Sequence, residues 1–325
     1  MNVDSRSSPA PAHVSVAGAT RARPTPRPRW TQTRREAMWF YVLVSPWIVG
    51  FLVFLAGPLL ASLYLSLTDY DLLTTPHWVG LANYVRMFSE DPLFWKVLGN
   101  TTFYTFVSVP LATVISVALA ALLNKPLPGM RVYRTIVYLP ALVPLVASAM
   151  LFAWVLAPDA GLINRALALV GVRGPAWLLS ETWVIPALVL MSIWGVGTGV
   201  VLLLAGMQGI PGELLEAATI DGANARQRFF RIVLPMLSPV ILFNVVMGLI
   251  GAFQIFSQVY ILTGGGPNNA SQMLVPYLFE EGFKNYRMGY ASALSWVLFA
   301  VIMICTAIVF RSSSRFLFYE SEVRR

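Results

Sequence analysis

The polar groups best placed for chemistry in this chain are three amides in an otherwise apolar stretch at 235–262. Asn244, Gln254 and Gln258, with Gly248 and Gly251 between them, recur at intervals of four, three, three and four residues. At 100° per residue these five positions fall within about 120° of a helix surface. An amide donates and accepts hydrogen bonds, so such a stripe suits the hydroxyls of a polyhydroxylated solute moving along a helix. Phe256 and Tyr260 would add apolar ring faces to a pocket there. Amides and glycines also line packing interfaces between helices in lipid. Packing is the preferred reading for the two glycines, and both readings stay open for the amides. Trp194-Gly195-Val196-Gly197-Thr198-Gly199, in the preceding apolar stretch, marks a place where a helix loosens or a neighbour packs closely.

A second concentration of polar groups lies at 211–235, GELLEAATIDGANARQRFFRIVLP from Gly212 onward. Pro211 suits a first helical position, where no backbone N–H is needed, and a helix through Glu213–Ala218 is expected to follow. Asp221-Gly222 should end it, because glycine enters turn conformations that other residues resist. A second helical run is expected over Ala223–Leu234, carrying Arg226, Arg228 and Arg231 and stopping at Pro235.

Glu-Ala-Ala, three residues, Gly, nine residues and Ile-x-Leu-Pro is a spacing filled here by Glu216, Ala217, Ala218, Gly222, Ile232, Leu234 and Pro235. It resembles the coupling-loop signature of binding-protein-dependent ABC importer permeases, with Asp221 beside the glycine of the turn. The resemblance implies a cytoplasmic elbow that docks into a cleft of a separate ATPase subunit. Two further runs, Val79 to Tyr84 and Thr263-Gly264-Gly265-Gly266-Pro267, are similar to the sugar-permease branch. The likeness extends from residue 40 to 311. The large external domain and additional spans of the maltose-type member have no counterpart, so the chain looks like the shorter lactose, trehalose or glycerol-phosphate type. This likeness implies the type I ABC importer permease fold, a second homologous permease, ATPase subunits and an extracytoplasmic solute-binding protein as partners.

Composition points the same way independently. Of 325 residues, 57% are hydrophobic and only 12% charged, about half the charged share of an ordinary soluble domain, and the mean hydropathy is +0.67. Six stretches, near 38–67, 100–123, 135–157, 183–207, 235–262 and 289–310, reach the roughly 20 residues that cross a bilayer and contain no Asp, Glu, Lys, Arg or His. The chain is therefore expected to be an all-α polytopic membrane protein with six transmembrane helices.

The loops orient it. Seven arginines precede the first stretch; Lys125, Arg131 and Arg134 follow the second; Arg226, Arg228 and Arg231 follow the fourth; Arg311, Arg315, Arg324 and Arg325 follow the last. These seventeen face six on the other side: Arg86, Lys96, Arg165, Arg173, Lys284 and Arg287. The positive-inside rule puts both termini and the Glu216 loop in the cytoplasm, and the resemblance implies a cell inner membrane. The net charge of +8 is this bias itself and not a nucleic-acid signature. Residues 1–36, rich in Pro, Ser, Ala and Arg, read as a disordered basic tail without a cleavable signal. Residues 37–99 read as the first transmembrane helix and an external segment, with Trp78, Tyr84, Phe88 and Trp95 at the headgroup level. Residues 100–311 read as the importer domain with its loop at 211–235, and 312–325 as a second tail.

Other chemistries find little support. No Gly-x-x-x-x-Gly-Lys-[Ser/Thr] run occurs, and none of Lys96, Lys125 and Lys284 directly follows a glycine, so the chain lacks a loop to cradle ATP phosphates. No cofactor is expected, and ATP would bind a partner subunit. An ion-gradient-driven secondary transporter is the alternative, but its coupling ion usually needs an ionisable residue inside a span. His13 and His77 have no neighbours at metal-ligand spacing, and Cys305 stands alone, so neither a metal site nor a nucleophile–base pair is expected.

Overall fold

The computed structural model describes residues 30–313, with side chains from residue 34. The N-terminal tail before Trp30 and the C-terminal tail after Ser313 lie outside the described residues. The chain divides into a unit ending at Pro58 and a larger body from Leu59.

Helix α1 (Trp30–Phe51), a π-turn at Leu52–Ala56 and α2 (Gly57–Ser66) make the first long apolar helix. The segment expected to lack structure as far as residue 36 is thus helical from Trp30 onward. The body continues with a hairpin of two two-residue strands, β1 (Thr68–Asp69) and β2 (His77–Trp78), pairing antiparallel, a small departure from an all-helical chain. After α3 (Ala82–Val85) comes α4 (Pro92–Leu123), then α5 (Met130–Tyr138), a 3₁₀ turn at Leu139–Leu142, α6 (Leu145–Val155) and α7 (Leu162–Leu169). Next are α8 (Val184–Trp194), α9 (Gly197–Gln208), α10 (Gly212–Ile220) and α11 (Ala225–Arg228). The chain closes with α12 (Leu234–Met236), α13 (Ser238–Phe253), α14 (Ser257–Leu262), α15 (Leu274–Phe279) and α16 (Met288–Ser313).

Three of the six apolar stretches are single helices, Arg34–Ser66, Pro92–Leu123 and Met288–Ser313. The others are bent pairs: Met130–Leu142 with Leu145–Val155 at 99°, Val184–Trp194 with Gly197–Gln208 at 45°, and Ala225–Met236 with Ser238–Phe253 at 64°. The bends fall where the backbone ladder is interrupted, beside Pro140 and Pro144, at Gly195 and Gly197, and beside Pro235 and Pro239.

At the centre is α4, with α8, α9 and α13 packed along it. Asp91 fixes its start: the carboxylate Oδ1 accepts the N–H groups of Leu93 at 2.9 Å and Phe94 at 3.3 Å, and Pro92 takes the first helical position. Around its first half Phe94, Val97, Leu249, Phe253, Leu274 and Leu294 form one core. Around its last turns Ala120, Leu123, Val200, Leu203, Met207 and Leu237 form another.

Polar side chains fasten the first half of α4 to the segment between α14 and α16. Thr101 Oγ1 accepts the N–H of Leu274 at 2.9 Å. Asn100 Nδ2 donates to the carbonyls of Asn269 and Gln272, both at 3.1 Å. The other carboxylate oxygen of Asp91 accepts hydrogen bonds from both Tyr277 and Tyr290. Burial is the largest single influence on Asp91 and works against its charge, but the two hydroxyls and two backbone N–H groups together outweigh it and hold the carboxyl below its ordinary 3.8.

Candidate functional site

A cavity of about 530 Å³ opens beside the middle of α4. Tyr104, Ser108, Ala112 and Ser116 line it from α4, four residues apart and therefore on one helix face. The break between α8 and α9 supplies Ser192, Trp194 and Thr198, and α13 with its continuation supplies Asn244, Gln254 and Gln258. No lining residue is ionisable except the phenol of Tyr104.

The three amides reach this cavity in a way the helical stripe does not describe. Helix α13 ends at Phe253, Gln254 is its C-cap, and α14 starts at Ser257. The regular 100° spacing therefore stops after Gly251, and the non-helical turn through Ile255 and Phe256 carries Gln258 back toward the same space. The expected single fifth helix is corrected to two pieces. Gly248 and Gly251 also line the cavity, but differently: a Cβ on Gly248 would meet Val109 at 3.3 Å, whereas Gly251 has open space. Close packing thus explains Gly248 and not Gly251. Among the described residues no hydrogen bond occupies the side-chain amides of Asn244, Gln254 or Gln258. All three residues line the cavity, and their amides bond no protein group among the described residues.

The glycines at the α8–α9 break permit the approach of neighbours. A Cβ on Gly197 would stand 2.7 Å from the Val137 carbonyl oxygen and 3.0 Å from Tyr138 Cα. Phe256 stacks on Tyr260 with ring centroids 5.2 Å apart, and both rings meet Phe279 edge-on. The cavity wall on α4 was missed by the stripe, although Tyr104, Ser108 and Ser116 repeat at a four-residue period that the sequence displays.

The second site is the elbow between α9 and α13. Pro211 is the N-cap of α10 rather than its first residue, with ψ of 125°. Asp221 is the C-cap, and Gly222 follows at φ +82°. The N–H of Ala223 bonds the carbonyl of Ala218 at 2.9 Å and that of Gly222 bonds Thr219 at 3.0 Å, the two bonds of a Schellman ending. No atom crowds Gly222, so its requirement is conformational. The next helix begins at Ala225, later than Ala223, because Asn224 and Gln227 form a reciprocal capping box at 2.9 Å each way. It also runs past Pro235 to Met236. A π-turn at Phe229–Val233 absorbs the register change, and the break falls at Leu237.

Arg228 holds the two arms of the elbow together, donating to Thr219 Oγ1 at 2.5 Å and to the Ala223 carbonyl at 3.4 Å. Glu213, Glu216, Ala217 and Ile220 lie within about 100° of one face of α10, and all four are exposed, Ile220 at 88%. Ala218, Ile232, Leu234 and Pro235 are half-buried. Asp221 is exposed beside Gly222. Ile220 is thus almost fully open on a short helix that Arg228 cross-braces.

Bent apolar helices around an uncharged cavity, with a polar elbow between two of them, describe a membrane permease. The chain belongs to the family of binding-protein-dependent transport system inner membrane components, whose model matches residues 112–317. It is a multi-pass membrane protein and a permease subunit of an ABC importer. It is similar to the probable ABC transporter permease protein YesP of Bacillus subtilis, at 40% identity over 89% of this chain and 94% of that one. It is also similar to the sulfoquinovosyl glycerol transport system permease protein SmoG of Agrobacterium fabrum, at 34% identity over 83% and 88% respectively. Its fold is that of a chain in the crystal structure of a bacterial alginate ABC transporter with its pentasaccharide-bound periplasmic protein. The TM-score is 0.77 at 24% identity, over 89% of this chain and 98% of that one.

Proposed function

We propose that this chain forms half of the transmembrane pathway for a sugar or sugar-like solute. A second, homologous permease supplies the other half, and a binding protein on the outer face of the cell inner membrane delivers the solute. The observation that carries the reading is the cavity in which Asn244, Gln254 and Gln258 present unpaired amides beside the hydroxyls of Ser108, Ser116 and Ser192. Such groups exchange water for sugar hydroxyls without a net loss of hydrogen bonds. Relatives named for sulfoquinovosyl glycerol and for trehalose and maltose transport support the solute class.

Work enters through α10. Glu216, Ala217, Ala218, Asp221, Gly222, Ile232, Leu234 and Pro235 form or brace the surface that docks on an ATPase subunit in the cytoplasm, where both termini of this chain also lie. The chain needs no cofactor of its own, since ATP binds that partner. Uptake and ATP hydrolysis by the reconstituted importer test this together. Solute presented on its binding protein is expected to stimulate hydrolysis, and dependence of uptake on an ion gradient instead of ATP would replace the reading with a secondary transporter.

A further inference from the structure

The turn between α4 and α5 holds a second, cationic pocket of about 330 Å³, lined by Lys125, Leu127, Met130, Arg131 and Arg134, with no carboxylate among its residues. Arg134 is fixed: its Nε and Nη2 donate to the Leu123 carbonyl at 3.3 and 2.9 Å, at the end of α4. Among the described residues, Lys125 and Arg131 form no ion pair or hydrogen bond through their side chains. Three positive charges therefore share a small concave space with no carboxylate in its lining, an arrangement that favours an anion.

Helix α5 shows what kind of anion. Its residues sort onto three faces at 100° per residue. Met130 and Val137 pack against the core around Leu123 and Leu203. Arg131 and Arg134 occupy a second face. Val132, Tyr133 and Ile136 make the third and are 62%, 60% and 59% exposed. The 99° bend before Leu145 sets this helix across the direction of α6. A short helix turned off the span, with arginines on one side and exposed aliphatic and aromatic groups on another, matches the boundary between headgroups and acyl chains. A free phosphate would use only the cations, whereas a lipid leaflet meets them with its headgroups and the opposite face with its acyl chains.

We propose that Lys125, Arg131 and Arg134 bind the phosphate of an anionic phospholipid in the cytoplasmic leaflet, with Val132, Tyr133 and Ile136, on the opposite face of α5, resting in the acyl layer of that leaflet. The placement in that leaflet rests on the orientation proposed above. Basic pockets beside membrane helices on this side commonly hold anionic headgroups.

The test is native mass spectrometry of the assembled, delipidated importer titrated with dioleoyl phosphatidylglycerol or dioleoyl phosphatidylcholine. Phosphatidylglycerol is expected to bind preferentially, and the Lys125→Gln/Arg131→Gln importer to lose that binding roughly tenfold while phosphatidylcholine binding is unchanged. Raising the salt should weaken only the phosphatidylglycerol adduct of the parent protein, a readout that needs no variant. Equal binding of the two lipids by the parent, equal phosphatidylglycerol binding by parent and variant, or displacement of the lipid by an equal concentration of soluble glycerol phosphate would each overturn the proposal. Loss of the ATPase subunit from the variant complex with lipid binding unchanged would assign the surface to that protein instead. Pro128→Cys, probed with an impermeant maleimide on intact cells, separates the two readings. Labelling from outside overturns the orientation, while the lipid titration still reports on the pocket itself.

Discussion

Asn244 on α13 faces Gly199 on α9 so closely that a Cβ at residue 199 would lie 2.8 Å from Asn244 Nδ2 and 3.2 Å from its Oδ1, and 3.1 Å from Ser116 Oγ on α4. Three helices thus converge on one missing methyl group. The amide can stand at the cavity wall because residue 199 has no side chain.

Gly199→Ala is therefore expected to displace Asn244 or spread α9 from α13, lowering the thermal midpoint of the detergent-solubilised permease by an amount equivalent to about 1–3 kcal/mol and reducing uptake. Gly199→Val should be worse. Adding Asn244→Ser to Gly199→Ala removes the closest overlap and leaves only the contact with the Ser116 hydroxyl, so stability should recover in part while uptake stays low. Additive losses in the double variant would mean that the two positions do not communicate.

Replacing Gln254 or Gln258 singly with Leu should impair solute uptake while the assembled complex is recovered at parental yield, because both residues line the cavity and their amides bond no described protein group. Asn244→Leu should in addition lower thermal stability, because Asn244 stands against Gly199. Loss of assembly would move these residues from the pathway to the packing between helices. Gly251→Ala should be milder than Gly248→Ala in thermal stability, since only Gly248 has a neighbour, Val109, within 3.3 Å.

The pattern of these effects separates what was legible in the sequence from what was not. The break of the elbow could be read because its determinant is local, Gly222 ending one helix, whereas the equally local Asn224–Gln227 capping box was missed and moves the next helix start to Ala225. The cavity could be half read. Its amides were found through a helical period that the chain abandons at Gln254, since the eye extends a helix across any uncharged run and the turn at Ile255 and Phe256 carries no Gly or Pro to announce itself. The α4 wall was visible as a four-residue repeat but resembled ordinary small-residue packing. The contacts of Asp91 with Tyr277 and Tyr290, 186 and 199 residues away, could not be read at all. Such pairs exist only once the helices are assembled.

Asp91→Ala should cost about 2 kcal/mol or more, since it removes a helix cap and a charged acceptor for two tyrosine hydroxyls at once. Asp91→Asn keeps the cap and should cost less. The native carboxyl is held below its ordinary 3.8, so its charged form stabilises the fold fully above that value, and the benefit drains away as pH falls through the lower native one. The gap in thermal midpoint between parent and Asp91→Asn should accordingly be constant from neutral pH down to about 5 and shrink below 3.8. A gap that instead grew on acidification would refute the charged role of Asp91. Burial and the hydrogen bond to Asp91 push the phenol of Tyr277 upward, so it remains a donor throughout this range.

The elbow yields the sharpest expectation. Gly222 stands at φ +82°, where an L-residue costs roughly 1–2 kcal/mol and proline, fixed near −65°, has no place. Proline would also remove the N–H that bonds the Thr219 carbonyl. Gly222→Ala should leave a partly coupled importer and Gly222→Pro an uncoupled one. Glu216→Lys reverses an exposed charge on the face proposed to dock without disturbing any bond within the elbow, so its effect should fall on docking alone. Arg228→Ala does the opposite: it leaves the face intact but unties α10 from α11 at Thr219 and Ala223. If α10 works as a rigid lever, losing that brace should lower solute-stimulated ATP hydrolysis and uptake together, with the ATPase subunit still bound. If it merely provides adhesion, Arg228→Ala should be silent while Glu216→Lys releases the ATPase. Normal coupled hydrolysis in Gly222→Pro, Glu216→Lys and Arg228→Ala alike would reduce the elbow to a connector between two spans.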